Sequence, residues 1–258
     1  MILFYLFLSI LGLVIGSFLS MLTYRLPRRL SIFGRSFCDK CKKSIPWYEN
    51  VPVVYYLLSG GRCGACGGRI HWRYPAIELV TVVSFVATGY LWLHLKGVNL
   101  NFGVFSLPLF ILLTTCYIAL IVTDLEFKIL PDEILLILAL FLFLYLFLSP
   151  SPMLFQHVLV GFSSFIFFLF LYLVTRGRGM GFGDVKLVFI LGGFLGWPGT
   201  LVAFFLAFVA GAILGVMLLL MGRAKLGRPI PFGPYLLVGA WIAMFWGQTI
   251  VQWYLNLG

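Results

Sequence analysis

The stretch Arg176–Lys186, RGRGMGFGDVK, places four alternating glycines before a single aspartate, Asp184, which opens a hydrophobic run. A carboxylate at the mouth of an apolar segment is costly to ionise there, so it indicates a functional group with a partner. The best partner in the sequence is Asp124, which ends an earlier hydrophobic run. The arrangement of the runs between them decides whether these two acids can meet.

Composition places the chain in a lipid bilayer. Of its 258 residues, 62% are hydrophobic and 10% are charged, whereas a soluble domain has roughly 25% charged residues. The mean hydropathy is +1.08. The net charge of +10 does not indicate nucleic acid binding, because 10 of the 18 Lys and Arg residues fall between Arg25 and Arg73. The rest lie almost entirely in short loops, as topology signals do.

The hydrophobic runs predict an all-α polytopic membrane protein with about eight transmembrane helices and a small zinc-ribbon-like insertion after the first. We expect a first transmembrane helix over 1–24, a cytoplasmic zinc-binding domain over 25–75 and a membrane helical bundle over 76–258. The predicted spans are near 1–22, 76–95, 104–123, 133–149, 154–175, 185–197, 199–221 and 233–254. Within the first span, the four-residue spacing of Gly12 and Gly16 favours helix packing. The run 185–197 is short, and its glycines indicate close packing or a broken helix.

The basic residues fix the predicted orientation. In this layout all of them except Lys96 fall on one side of the membrane, so the insertion is expected in the cytoplasm and both termini on the outer side. The third span then runs inward and ends at Asp124, and the sixth begins at Asp184. Both acids are therefore expected near the cytoplasmic boundary, where they can meet.

Two carboxylates that share one proton can act together as acid and base, so their position favours catalysis over an ion pathway or structural pairing. The glycines before Asp184, of which Gly181 and Gly183 are nearest, allow unusual backbone conformations and close approach of a substrate strand. The loop does not match the G-x-G-x-x-G pattern of a nucleotide-binding loop.

Other acids have simpler explanations. Glu126, Asp132 and Glu133 are expected to be solvated charges at the interface, with Asp132 also capping the next helix. Glu78 lies just inside the second span, where it either pairs with a nearby arginine such as Arg73 or contacts a substrate.

The insertion contains two C-x-x-C pairs, Cys38 with Cys41 and Cys63 with Cys66, separated by 21 residues. This spacing is close to that of a zinc ribbon, in which four thiolates complete a tetrahedral site. A redox pair or unligated thiols are the alternatives, and a reducing cytoplasm favours metal over disulfides. Prolines and glycines predict short strands and turns here. So small a segment buries little core, so metal ligation would supply its folding energy.

Together these stretches resemble the type IV prepilin peptidases, bifunctional membrane enzymes among the G-x-G-D aspartyl proteases. Besides the cysteine pairs, the matching stretches are Gly16–Ser20, Arg25–Pro27, Glu49–Pro52, Tyr74–Glu78, Thr123–Asp124, Leu130–Asp132, Gly179–Lys186 and Pro231–Pro234. Ser20 departs from the asparagine that is usual in the family.

The resemblance implies an enzyme of the bacterial inner membrane that cuts prepilins and pseudopilins on the cytoplasmic side, after a glycine. It then methylates the new amino terminus with S-adenosylmethionine. Asp124 and Asp184 would be the catalytic dyad, and the four cysteines the zinc ligands. Glu49, Asn50 and Glu78 are candidates for binding the methyl donor, because acidic and amide groups can hold a ribose or an amine. Fold-stabilising contacts are the alternative for each.

Three rival functions are open to a chain with these motifs. A peptidase without methyltransferase activity, like archaeal preflagellin peptidases, is disfavoured by the zinc-type insertion, which those relatives lack. An ion channel or transporter predicts polar residues deep in several spans, yet the spans here are nearly uncharged. A non-catalytic scaffold for pilus assembly would keep working after substitution of either aspartate. The motifs do not specify an oligomeric state.

Overall fold

The computed structural model describes residues 1–38, 40–46, 49, 51–94, 106–148, 151–177, 179–222 and 231–256. Most of these residues lie in helices. In chain order they are α1 (Ile2–Arg25), α2 (Val54–Leu58), α3 (Arg73–His94), α4 (Ser106–Phe127), α5 (Asp132–Leu148), α6 (Ser151–Val174), α7 (Phe182–Leu220) and α8 (Gly233–Leu255), with a 3₁₀ turn, Leu26–Arg28, after α1.

The chain divides into two compact units, and the division falls within α4. The N-terminal unit contains α1, the insertion, α3 and α4 as far as Ala119. The C-terminal unit begins at Leu120 and contains the end of α4 and all later helices. Each unit therefore has its own packing, described separately below.

In the N-terminal unit, α1 packs on α3 through its glycines. A Cβ added at Gly12 would lie 2.8 Å from Val82 Cα, and one at Gly16 would lie 2.8 Å from Glu78 Cα. Only residues without side chains allow two helix backbones to approach so closely. The predicted packing role of Gly12 and Gly16 is confirmed. Leu8, Phe85 and Ile111 form the core beneath them.

In the described chain, six helices are long and apolar enough to cross a membrane: Ile2–Arg28, Arg73–His94, Leu107–Phe127, Leu154–Val174, Phe182–Leu220 and Gly233–Leu255. Many of their large apolar side chains are exposed, such as Phe155 and Phe205, as expected for surfaces that face lipid. The chain is therefore a multi-pass membrane protein. The predicted count of eight spans is not confirmed.

Two differences account for the lower count. The predicted span near 133–149 corresponds to α5, whose 17 residues extend about 26 Å, which is less than the ~30 Å hydrocarbon layer. The predicted spans 185–197 and 199–221 correspond to the single element α7 of 39 residues.

Inside α7, Gly196 (φ 60°, ψ −167°) and Trp197 (φ −92°, ψ 137°) are not helical. The Thr200 hydroxyl lies 3.5 Å from the Gly192 carbonyl oxygen, although eight residues of straight helix would advance about 12 Å. The chain therefore bends sharply at this point, and α7 consists of two helices. The broken helix that the glycines predicted near 185–197 is present.

Side chains satisfy the carbonyl groups that the break releases from helical hydrogen bonds. His157 Nδ1 lies 2.8 Å from the Gly193 oxygen, and Gln156 Nε2 donates to the Trp197 oxygen at 3.0 Å. The Thr200 hydroxyl donates to the Gly196 oxygen at 2.8 Å. These bonds allow a bend inside an otherwise apolar unit, because a buried carbonyl without a partner is costly.

Candidate active site and metal centre

Asp184 lies in the first turn of α7, where it is only 6% exposed. Its Oδ2 accepts a hydrogen bond from the Gly181 N–H at 3.1 Å, and its own N–H donates to the Gly181 oxygen at 3.2 Å. This reciprocal pair fixes the carboxylate at a helix N-terminus, where the helix dipole favours negative charge. The sequence placed Asp184 at the start of a helix, and the structure agrees.

Asp124 lies in the last turn of α4, and 5% of it is exposed. Its Oδ2 is buried and has no hydrogen-bond partner within the described part of the chain. Gly233, the first residue of α8, comes very close, because a Cβ added there would lie 2.7 Å from this oxygen. A buried carboxylate oxygen that lacks a protein partner is a position for water or substrate.

The two acids lie near each other within the C-terminal unit. Asp124 lies within electrostatic range of Asp184. Leu130 contacts a glycine beside each acid, Gly183 beside Asp184 and Gly233 beside Asp124. A Cβ at Gly183 would lie 3.1 Å from Leu130 Cβ, and one at Gly233 would lie 3.3 Å from Leu130 Cδ2. The fold therefore brings together two carboxylates that stand 60 positions apart in the sequence.

The glycines before Asp184 confirm the predicted conformational freedom only in part. Gly177 has a left-handed backbone, with φ 72°, but Gly181 has φ −76°, which any residue can adopt. Gly183 lies in the helix and leaves room for Leu130. A backbone conformation that favours glycine therefore occurs only at Gly177 among these glycines, while close packing against Leu130 explains Gly183.

Asp132 was predicted to cap the next helix, but it is itself the first residue of α5. Its carboxylate accepts a hydrogen bond from Lys186 Nζ at 2.7 Å. Lys186 lies two residues after Asp184, so this ion pair joins α5 to the start of α7. Both side chains are exposed, which limits what the pair contributes.

Sequence reasoning missed the roles of Gly233 and Leu130 beside the acids. Each lies in a stretch that was noted only for its likeness to a family, Pro231–Pro234 and Leu130–Asp132. The proline at the start of α8 was the available signal, because its fixed φ favours the first turn of a helix.

The two cysteine pairs form matching turns in the insertion. The Cys38 N–H donates to the Lys43 oxygen, and the Cys38 oxygen accepts a hydrogen bond from the Lys42 N–H. In the second turn, the Cys63 N–H donates to the Gly68 oxygen, and the Cys63 oxygen accepts from the Gly67 N–H. The fourth residue after each first cysteine has a left-handed backbone, with φ 59° and 64° respectively. Single antiparallel bridges, Phe37 with Ser44 and Arg62 with Arg69, close the turns. These bridges replace the predicted short strands, since no longer strand forms in the described insertion.

The four sulfur atoms converge. The Sγ atoms of Cys38, Cys41, Cys63 and Cys66 all lie within 4.8 Å of one another, and those of Cys38 and Cys66 are 3.9 Å apart. A tetrahedral ion with ligands at ~2.3 Å requires sulfur–sulfur distances of about 3.8 Å. The cluster therefore fits a metal ion.

Of the three residues predicted to bind the methyl donor, the structure describes two, Glu49 and Glu78. Glu78 is 6% exposed, and its Oε2 accepts a hydrogen bond from the Val53 N–H at 2.7 Å. Arg73, its suggested partner, donates instead to the Ser20 oxygen at 3.2 Å and to the Thr23 hydroxyl at 2.7 Å. Glu49 and Glu78 line one cavity of the N-terminal unit. Asn50 lies outside the described residues.

Two protein-family models match the chain. Residues 10–92 match the bacterial peptidase A24 N-terminal domain. Residues 111–216, which include both buried acids, match the type IV leader peptidase family.

Curated proteins match over nearly the whole chain. A "prepilin leader peptidase/N-methyltransferase" of Pseudomonas aeruginosa is 35% identical, over 96% of this chain and 92% of its own length. Proteins with the same name from Bacillus subtilis and Legionella pneumophila are 34% and 31% identical. The Bacillus protein matches over 97% of both chains, and the Legionella protein over 98% of this chain and 94% of its own length.

No solved structure matches the chain significantly. The evidence for relationship therefore lies in the sequence, and it covers both units, with the paired cysteines in one domain match and the buried acids in the other. On the strength of these matches and of the geometry above, the chain belongs to the type IV leader peptidase family.

Proposed function

We propose that this protein removes the leader peptide from prepilins or pseudopilins and methylates the amino terminus that cleavage exposes. The name of its relatives includes both activities, and these relatives match nearly the full length of the chain. The structural observation that carries the peptidase half is the pair of buried, interacting carboxylates, Asp124 and Asp184, at two helix ends of one unit.

In this proposal Asp124 and Asp184 form the catalytic dyad. Two carboxylates held close together favour one shared proton, so one is ionised while the other is protonated. The ionised acid takes a proton from water, whose oxygen attacks the scissile carbonyl carbon, while the protonated acid donates to the carbonyl oxygen. The proton taken from water then passes to the nitrogen of the leaving amine as the peptide bond breaks. Gly181 holds Asp184 in place, and the unpartnered Oδ2 of Asp124 offers a position for the water.

The cysteine cluster is proposed to hold a structural zinc ion. The separation of the sulfurs and the matching turns support four thiolate ligands with no open position, which is typical of structural rather than catalytic sites. When bound, zinc would supply fixed cross-links between the two turns, in a segment with little apolar core.

For the membrane arrangement we propose eight crossings, with α5 and the two parts of α7 counted separately. This topology places the end of α7 on the cytoplasmic side, together with the insertion, and leaves both termini outside. The bend at Gly196 and Trp197 supports it. Labelling by an impermeant thiol reagent should reach Met221→Cys only from the cytoplasmic face and Asn256→Cys only from the outer face. The opposite pattern at either site would exclude this topology.

The methyl donor is proposed to be S-adenosylmethionine, as the name of the relatives implies. Glu49, Asn50 and Glu78 remain the candidate donor-binding residues. The shared cavity supports the first and third of them.

The test uses the purified protein in detergent with a full-length prepilin and S-adenosylmethionine, followed by intact mass. The expected products are pilin without its leader and the same pilin carrying one added methyl group. A protein that binds prepilin and leaves its mass unchanged would contradict the proposal and favour a scaffold.

A further inference from the structure

The N-terminal unit contains a cavity of about 350 Å³ between its helices and the insertion. Its walls come from the end of α1, the beginning of α3, both cysteine turns and the segment before α2. The volume falls in the range of small-molecule sites, about 300–1,000 Å³. The dyad takes no part in it, because both acids belong to the C-terminal unit.

The lining of the cavity is chemically mixed. It includes the carboxylates of Glu49 and Glu78, aromatic residues such as Tyr24, and three basic residues, Arg25, Lys40 and Arg69. Carboxylates can bind ammonium, sulfonium or ribose hydroxyl groups, and aromatic faces can stack on a base or face a cation. A donor composed of an adenine, a ribose and a cationic sulfur matches this lining.

Glu78 is built into the wall rather than solvated. It is buried, and its Oε2 accepts a hydrogen bond from the Val53 N–H at 2.7 Å. Val53 has φ 56°, a backbone conformation that a β-branched residue rarely adopts. Strain of this kind, held by a buried charged group at the edge of a cavity, is found mainly at functional sites.

Glu49 is tied to the second cysteine turn. A Cβ added at Gly64, between Cys63 and Cys66, would lie 2.6 Å from Glu49 Oε1 and 2.8 Å from the Tyr55 hydroxyl oxygen. The cysteine turn thereby positions Glu49 in the cavity wall.

We propose that this cavity is the methyl-transfer site, with Glu49 binding the donor and Glu78 binding the amine that is methylated. The inference rests on the proposed methyltransferase activity and adds its location. Although Glu78 is also a candidate for donor binding, its place on α3, a helix able to span the membrane, assigns it to the amine instead. The amino terminus of a substrate whose hydrophobic helix is in the bilayer would arrive from that side.

The chemical step is a simple displacement. The unprotonated amine attacks the methyl carbon with its lone pair, and the carbon–sulfur bond breaks. Its electrons remain on the sulfur, which leaves as a neutral thioether. The methylated nitrogen is positively charged at that moment, and Glu78 stabilises this charge and accepts one proton. The S-adenosylmethionine supplies the activated methyl group, and no other reactant is required.

The experiment separates binding, methylation and cleavage. Equilibrium dialysis with radiolabelled S-adenosylmethionine measures donor binding without pilin, and intact mass measures methylation of a pilin whose leader is already removed. We expect Glu49→Gln to weaken donor binding about tenfold, because one charge-assisted contact is lost. We expect Glu78→Gln to bind the donor normally and to methylate roughly a hundredfold more slowly, with partial recovery in Glu78→Asp.

Leader cleavage and zinc content serve as measures of folding, and Glu133→Gln, the same change at an exposed acid of α5, is the matched control. Normal methylation by both Glu49→Gln and Glu78→Gln would overturn the cavity assignment alone. An equal loss of cleavage and methylation in Glu78→Gln, without recovery in Glu78→Asp, would also overturn it, because it would indicate a structural role. A wild-type protein that cleaves prepilin but neither binds donor nor methylates would instead refute the methyltransferase half of the proposed function.

Discussion

The N-terminal unit places its candidate sites in an irregular insertion, whereas the C-terminal unit places its two acids at the ends of long helices. In the insertion, two short turns and one five-residue helix, α2, surround the cysteines and the cavity. In the C-terminal unit, the acids are held by the last turn of α4, the first turn of α7 and the first residue of α8.

This difference teaches what each site depends on. A segment with few buried apolar side chains needs covalent or metal cross-links to keep its shape. A site made from helix ends depends on how closely the helices pack, so glycines are its critical residues. Loss of metal should therefore affect the N-terminal unit, and added side-chain volume should affect the C-terminal one.

Metal removal should have the largest effect and should be confined to the insertion. Zinc binding to small domains contributes on the order of 10 kcal/mol to folding, so a strong chelator or Cys63→Ser should make residues 31–72 sensitive to protease. The measurements are metal content by mass spectrometry and the sites of limited proteolysis. Cys116→Ser, at a buried cysteine outside the cluster, should retain the metal. An insertion that resists protease after the metal is gone would contradict this dependence.

Substitution of either acid should remove cleavage and spare the insertion. Asp124→Asn and Asp184→Asn should each lower the rate of leader removal roughly 10⁴-fold, and the double variant should be little worse, because the two groups act as a unit. Intact mass of the product and zinc content measure the two effects. Asp132→Asn is the control, since it makes the same change at an exposed acid. Cleavage by Asp184→Asn at the wild-type rate would eliminate the dyad.

Added volume beside Asp124 should impair the C-terminal site without unfolding it. In Gly233→Ala the new Cβ would lie 2.7 Å from Asp124 Oδ2, so the carboxylate must move, and we expect cleavage to slow roughly 10- to 100-fold. Gly211→Ala adds the same group where the nearest atom is 3.6 Å away and should be neutral. The ratio of their kcat values for leader removal sharpens the comparison, and equal rates would show that packing at Gly233 does not position the acid.

The ion pair between Lys186 and Asp132 should have the smallest effect. With side chains 40% and 73% exposed, it is expected to contribute no more than about 1 kcal/mol. Lys186→Ala should lower the thermal midpoint by only a few degrees and change cleavage less than fivefold. The stability difference should shrink at high salt, because salt screens exposed charges. A salt-independent loss of activity would instead place Lys186 in the site.

The parts that sequence predicted well depend on local or cumulative properties. Hydrophobic runs located the long helices, and the four-residue spacing of Gly12 and Gly16 predicted a close helix contact that is present. The spacing of the cysteine pairs predicted a cluster, and their sulfurs converge. Each of these signals lies within one segment or in a spacing typical of a known site, so no knowledge of the whole fold was needed.

The parts that were missed depend on contacts between distant segments. Composition cannot tell one long apolar run from two helices joined by a bend, so the count of spans is not confirmed, although the glycines predicted the break near Gly196. The partner of Glu78 is a backbone N–H at Val53, 25 residues away, rather than the arginine nearby in sequence. The sequence predicted no specific role for Gly233, because its importance comes only from the Asp124 carboxylate that lies against it.

By itself, the sequence determined that this chain is a membrane protein with a four-cysteine insertion and two acids at the ends of apolar runs, because hydropathy, charge and residue spacing are properties of the chain. Only the tertiary structure decided that these acids lie within electrostatic range of each other, that Asp124 has a buried oxygen without a described partner, and that Glu49 and Glu78 share a cavity. The physical reason is that burial and partnership of a polar group depend on which distant backbone or side chain packs against it.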